Sequence, residues 1–411
     1  RPAVCSRNCL RCFPHDVEAA QGAFRVNPIR RSLPIHEPSG QRRRVLAALQ
    51  RHGPLSRAEI CRHTGISGPT VTRVVATLFD AKLVEEEEPQ QRVVGRPGKI
   101  VRLARSGVCV LGLVVGPVHC EAVAAGLDGQ LDDELDVRTF ATPQRYQDLT
   151  AACVRELRAL MSRRKGTVLG LAISVPGLIQ RSEGRSIVSP NLHQLDGRNL
   201  GQDLQDRLQL DCTVLQECHA LCWAEQAYGE ARGADDFAML DVSAGLGLGV
   251  MQQGRIVQGH SGLAGELGHV TVELEGRQCG CGNRGCLETV ATDSALAAAV
   301  GERLGQALDI DEVLNRAAAG TLDIGPELDR TLEYLAVAAA AVINIFNPSK
   351  LFIYGRLFDA APDVFSRLLA LVERRALGPS FAACTVVRAR GNKRLGVVAA
   401  AGHGATQGRG E

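Results

Sequence analysis

No apolar run in this sequence is long enough to span a bilayer; the longest candidate, Leu335 to Phe346, is Ala-rich and interrupted by Asn344. Nor does a basic stretch followed by an apolar one open the chain, as a secretory signal would. These two absences predict a cytoplasmic protein with no membrane partner. Net charge is nearly absent too, at +2, but the balance is local. Residues 1–105 hold 19 of the 47 Lys+Arg and 9 of the 45 Asp+Glu, which makes them +10, and the remainder is −8. A basic N-terminal part on an acidic body fits a nucleic-acid-binding module joined to a regulatory domain, because phosphate neutralisation needs local charge. With 45% hydrophobic and 22% charged residues, 411 residues suffice for two or three folded domains, and disorder is not the default.

What the chain does have is cysteine, 14 in all, mostly scattered in apolar surroundings as reduced core thiols are. Two groups are dense: Cys5, Cys9 and Cys12, and Cys279, Cys281 and Cys286. The first lies in residues 1–39, which show no sustained periodicity and carry Pro2, Pro14, Pro28, Pro34 and Pro38. That segment reads as a disordered leader, its cysteines either incidental or a metal group with His15.

Residues 40–105 read as a winged helix-turn-helix. Val45, Leu46 and Leu49 share one face of a first helix, with Arg42, Arg43 and Arg44 on the other. Ser56 can cap a second helix, Gly65 supplies the turn, and Ser67 is expected to cap a third with Val71, Val74, Val75 and Leu78 on its buried face. Ser67, Thr70, Thr72 and Arg73 then stand where a recognition helix meets the major groove of a double-stranded operator. The segment Gly95-Arg96-Pro97-Gly98-Lys99 and the alternating Ile100 to Leu103 read as a hairpin with a basic tip, from which Arg96 and Lys99 can reach DNA. The acidic run Glu85 to Glu88 reads as a solvated strand edge, since phosphate would repel it.

Residues 106–411 change character. Strand candidates at 108–116, 121–127 and 134–140 precede a helix around 146–161 and a buried strand at 168–175. The order returns at 238–243, 247–252 and 255–257, followed by a helix at 332–346 and a strand at 350–354. Two such copies imply two α/β lobes with a ligand cleft between them.

From Gln41 onward the chain resembles the ROK family (repressors, open reading frames and kinases), in its longer repressor branch. The resemblance covers about nine-tenths of the chain. It is carried by the segment from Gly262 to His269, by Cys279-Gly280-Cys281-Gly282-Asn283-Arg284-Gly285-Cys286-Leu287-Glu288, by Ser189-Pro190-Asn191-Leu192 and by Leu351 to Gly355. It implies an α/β architecture, a winged helix-turn-helix followed by a two-lobed, actin-like (ribonuclease H-like) sugar-kinase fold. It further implies a sugar-responsive repressor of carbohydrate-metabolism genes, acting as a homodimer or homotetramer on a palindromic operator. The alternative is a glucokinase-like sugar kinase with an accessory DNA-binding domain.

In this family the glycine-spaced thiols of Cys279, Cys281 and Cys286 converge with His269 on a structural Zn²⁺, the loop spanning 269–286. Such a closed tetrahedral set leaves no position for water, so it staples and does not hydrolyse. The resemblance assigns sugar hydroxyls to Asn191, Gln216, Glu217, Glu266, His269 and Glu288. Glu217 stands where a kinase has its Asp base, and the longer side chain displaces the carboxylate. The family's first phosphate loop, Asp-x-Gly-Gly-Thr-Lys, is here Val114-Val115-Gly116-Pro117-Val118-His119. Pro117 has no N–H, Val118 no hydroxyl and Val114 no charge, so no catalytic residue and no phosphoryl transfer are expected. The glycines of Gly245, Gly247 and Gly249 suit either phosphate binding or close strand packing.

Overall fold

A computed structural model describes residues 40–88, 99–131, 133–164, 166–180 and 183–407. The expected leader, with Cys5, Cys9 and Cys12, and Arg96 at the wing tip lie outside these residues.

The N-terminal module comprises α1 (Gly40–His52), β1 (Leu55–Ser56), α2 (Arg57–Thr64), α3 (Gly68–Asp80), β2 (Val84–Glu87) and β3 (Ile100–Leu103). Its strands run in the order β1-β3-β2. Val45, Leu46, Leu49, Ile60, Val71, Val75 and Leu78 form its core, so the three helices close on one another with their charged faces outward. Ser56 and Glu59 make a reciprocal capping box at the start of α2, and Gly65 ends that helix in the left-handed region. Ser67 departs from expectation: its hydroxyl bonds Thr70 Oγ1 at 2.9 Å and no backbone N–H. Pro69, in the first turn of α3, removes one of the two N–H groups such a cap would serve. Only the second half of the acidic run, Glu87 and Glu88, is an exposed edge. Glu85 accepts from the backbone of Arg105 and Ser106 at 3.0 Å and pairs with Arg102 at 2.8 Å, while Glu86 pairs with Arg57 and Lys99. These carboxylates therefore tie the wing's base together, neutralising Arg57, Lys99 and Arg102.

The first lobe contains β4 (Gly107–Val115), β5 (His119–Ala125), α4 (Asp133–Asp136), β6 (Val137–Ala141), α5 (Tyr146–Arg163) and β7 (Gly166–Val175). It continues through β8 (Leu178–Gln180), β9 (Arg185–Val188), α6 (Leu200–Leu208) and β10 (Cys212–Gln216), and α7 (Glu217–Tyr228) follows. The expected strand at 134–140 begins late, because one helical turn, α4, takes its first residues. Asp136 in that turn binds Arg164 at 2.5 Å, anchoring it beside β5.

The second lobe contains β11 (Phe237–Asp241), β12 (Gly247–Gln252), β13 (Arg255–Ile256), α8 (Asp293–Leu304), α9 (Ile310–Ala318) and α10 (Gly325–Phe346). After these come β14 (Lys350–Tyr354), α11 (Val364–Arg375), α12 (Gly378–Ala382), β15 (Thr385–Arg388) and α13 (Lys393–Gln407). The two large sheets share one topology, β6-β5-β4-β7-β10 in the first and β13-β12-β11-β14-β15 in the second. In each, an antiparallel meander is extended by two parallel strands on the other side of its first strand. The internal repeat read from the sequence is thus a repeat in space. Helix α13 breaks the symmetry: it follows the second lobe but packs on β4 and β7 of the first, on α7 and on α1.

Candidate functional site

The recognition helix presents an open polar face. Ser67, Thr72 and Arg73 are exposed and Thr70 is half-buried, with Thr72 donating back to Gly68 O at 3.0 Å. Lys99, at the start of the wing's return strand, is exposed and lies 3.5 Å from Glu86.

A short helical turn ending at His269 and the loop 271–286 bring four ligand atoms within 4.8 Å of one another: one from each of His269, Cys279, Cys281 and Cys286. Local backbone makes this possible. Isolated bridges pair Thr271 with Cys286 and Gln278 with Arg284, and Cys279 N–H donates to Asn283 O at 2.8 Å. Cys281 Sγ lies 3.7 Å from Cys286 Sγ, and Cys279 Sγ lies 3.6 Å from His269 Nδ1. A tetrahedral ion with metal–sulfur bonds of about 2.3 Å separates its thiolates by about 3.8 Å. The four groups therefore fit a zinc ion in both chemistry and spacing. The described cysteines form no disulfide.

The cleft residues meet beside this cluster. Gln216, closing β10 in the first lobe, donates to Glu266 Oε1 of the second at 3.2 Å and to Gly177 O at 3.3 Å. The His269 ring serves two neighbourhoods. Its Nε2 faces Glu266 at 3.8 Å, while Nδ1 faces Cys279 and, at 3.6 Å, Glu288 Oε1. Burial raises the Glu266 carboxyl above its ordinary range, opposed by the Gln216 hydrogen bond and the nearby His269. Asn191 is exposed, next to Pro190, which lies against Gly280 of the cysteine loop. Gln216, Glu266, His269 and Glu288 thus form one group of donors and acceptors suited to a polyhydroxylated ligand, with Asn191 at the cysteine loop.

Glu217 behaves differently. Its Oε1 is 2.6 Å from Lys393 Nζ, which is also 3.0 Å from Asp241 Oδ2 and 3.5 Å from Ser243 Oγ. The turn joining β4 to β5 is closed on itself: Gly116 N–H donates to His119 O at 3.1 Å, and Val118 is exposed. Of the second glycine-rich segment, Gly249 lies within β12 and faces Cys222 Sγ and Cys218 O of α7 so closely that a β-carbon would sit 2.6 Å from the sulfur. That glycine serves the packing of α7 on β12.

Residues 110–402 match the ROK family, and residues 38–92 match the MarR family. The chain belongs to the ROK family. It is 26% identical over 342 residues to the xylose repressor of Bacillus subtilis (strain 168), covering 82% of this chain and 88% of the relative. It is 25% identical over 346 residues to the DNA-binding transcriptional dual regulator NagC of Escherichia coli (strain K12), covering 81% and 84%. Among solved structures, a ROK family transcriptional regulator, homolog of the E. coli MLC protein, superposes with a TM-score of 0.74 at 24% identity over 89% of this chain and 96% of that one. A ROK hexokinase from Thermus thermophilus gives 0.61 at 24% identity over 72% and 97%. These neighbours share the fold, a winged helix-turn-helix ahead of the two-lobed sugar-kinase architecture in the first case and the two lobes in the second.

Within this ROK chain, sequence reasoning missed Lys393 and Asp241. A faint signal existed, since only five of the 47 Lys+Arg are lysines and one of them opens the last helix. Asp293 was missed as well. It accepts both Arg356 N–H and Leu357 N–H at 2.7 Å, and burial raises its carboxyl to about 7.

Proposed function

We propose that this ROK protein is a sugar-responsive, DNA-binding transcriptional repressor of carbohydrate-metabolism genes, acting in the cytoplasm as a homodimer or homotetramer without kinase activity. The relatives named repressors support the DNA-binding role, and the module at residues 40–105 supplies its reading helix. Gln216, Glu266, His269 and Glu288, with Asn191 beside the cysteine loop, would hold the sugar. His269, Cys279, Cys281 and Cys286 would hold a structural zinc, whose contribution is to fix the loop carrying His269 and Glu288 at the cleft.

The observation that carries the reading against catalysis is the ion pair of Glu217 with Lys393. A carboxylate oxygen 2.6 Å from a lysine ammonium is already engaged where a kinase needs a base for the sugar hydroxyl. The closed β4–β5 turn adds to this, because its Gly116 N–H is spent on His119 O and Pro117 has none to offer a phosphate. Sugar bound between the lobes would favour one lobe arrangement and shift operator affinity through that preference.

Fluorescence anisotropy with DNA from upstream of the protein's own gene, with and without D-xylose, N-acetyl-D-glucosamine and D-glucose, tests the reading. Binding to one palindromic segment that shifts with one sugar is expected, with no magnesium-dependent ATP turnover on any of them. Sugar phosphorylation by the purified protein would overturn it.

A further inference from the structure

Lys393 is the first residue of α13, and its ammonium joins the first residue of α7, Glu217, to the last residue of β11, Asp241. Only 15% of the lysine side chain is exposed, and 6% of that of Asp241. Burial alone would disfavour the ammonium, but the two carboxylates outweigh it and hold the Lys393 pKa above its ordinary value. Removing the lysine would leave two carboxylates facing each other at a largely buried site, so the contact is costly to break.

The triad sits one residue from the sugar group. Gln216, which bridges the lobes to Glu266, directly precedes Glu217. On the other side of the triad, α13 is seated too tightly to slide independently. A β-carbon on Gly396 would lie 2.0 Å from Ala220 O of α7, and one on Gly112 of β4 would lie 2.4 Å from Val397. The far part of the same helix reaches the DNA-reading module, where Gly402 lies against Gln50 of α1; the next residue, His403, sets its ring 4.5 Å from that of Trp223 in α7, tilted by 39°. Fifteen helical residues at about 1.5 Å each span about 22 Å, so one rigid element runs from the cleft to α1.

We propose that Lys393 is a positioning residue that couples the cleft to the DNA-reading module, holding α13 in register with Glu217 and Asp241 at one end so that its other end seats α1. Its biological meaning rests on the cleft being the effector site, but the coupling itself needs neither sugar nor operator to be tested.

Hydrogen–deuterium exchange of the full-length protein decides it, comparing wild type with Lys393→Met. Exchange in residues 40–52 should rise about threefold or more, together with 213–222 and 393–407, while α8 to α11 stay unchanged. If Lys393→Met does not fold, Asp241→Asn, which keeps the lysine and removes one partner, should raise the same segments by a smaller factor. An α1 rate equal to wild type, or a rise spread equally over α8 to α11, overturns the proposal. Either result leaves the repressor reading intact, whereas a protein that binds no operator would fail that reading and not this one.

Discussion

Gly285 leaves no room for a side chain. A β-carbon there would lie 1.6 Å from Glu273 O, and its φ of +66° is the left-handed region that other residues occupy at a cost. Because Gly285 adjoins Cys286 and accepts the Val272 N–H at 2.8 Å, Gly285→Ala must push the cysteine away from its three partners. The expected outcome is loss of stoichiometric zinc by elemental analysis, with secondary structure in the remaining lobes kept; full zinc occupancy in the variant would refute the assignment. His403 sets a second residue-scale expectation. Burial lowers its pKa from 6.5 to about 4, so it stays neutral in the fold but charges in the unfolded chain. Stability from this group is complete above pH 6.5 and is lost as pH falls towards 4; between pH 7.5 and pH 5 the loss is about 2 kcal/mol. His403→Phe keeps a ring against Trp223 and removes the titration. Urea unfolding at the two pH values should therefore show the wild type losing about 2 kcal/mol more than the variant, and equal losses would contradict the account.

Helix α2 shows how much an element owes to its ends. It has eight residues, too few to persist alone, and its Ser56–Glu59 capping box satisfies N–H groups that would otherwise be orphaned. Ser56→Ala should destabilise the protein by about 1 kcal/mol in chemical unfolding of the N-terminal transition, and no measurable change would mean the box is redundant. The elements legible in the sequence are those whose signal is local. Helices α1 to α3 are legible from their period, with α2 marked also by its Ser56 cap, and β12 and β14 are bounded to the residue because alternation or a buried run ends at turn residues. The cysteine cluster was legible for the same reason, its glycines and thiols lying within eight residues. What escaped depends on distant partners. Asp136 forms a helical turn where a strand was expected because Arg164, across α5, holds it; Glu85 and Glu86 are neutralised by Arg102, Arg57 and Lys99; and the Lys393 triad joins residues 152 and 176 positions apart. No pattern within one window encodes such pairs.

At the scale of the whole molecule, the charge asymmetry becomes a statement about salt. The basic excess of the N-terminal part is partly consumed inside the protein, since Arg51 binds Asp235 at 2.6 Å to dock α1 on the connection between α7 and β11, and Arg57 and Arg102 hold the wing's base. Arg73 on the exposed face of α3 is different: no described acidic group pairs with it, so its charge is free to meet DNA. Arg73→Ala should therefore weaken operator binding by about tenfold at 0.15 M salt, within the range of 1–3 kcal/mol typical of one lost contact. If the contact is to a phosphate, the slope of log affinity against log salt should fall by about 0.9 and the loss should be uniform across operator variants; a base contact would leave the slope and relax preference at one position instead. Arg51→Ala serves as the counterpart, because it removes a charge that faces the lobe and not the groove. It should leave the salt slope unchanged while altering how strongly sugar shifts operator affinity. A slope reduced as much by Arg51→Ala as by Arg73→Ala would mean that α1, and not α3, lies along the phosphates.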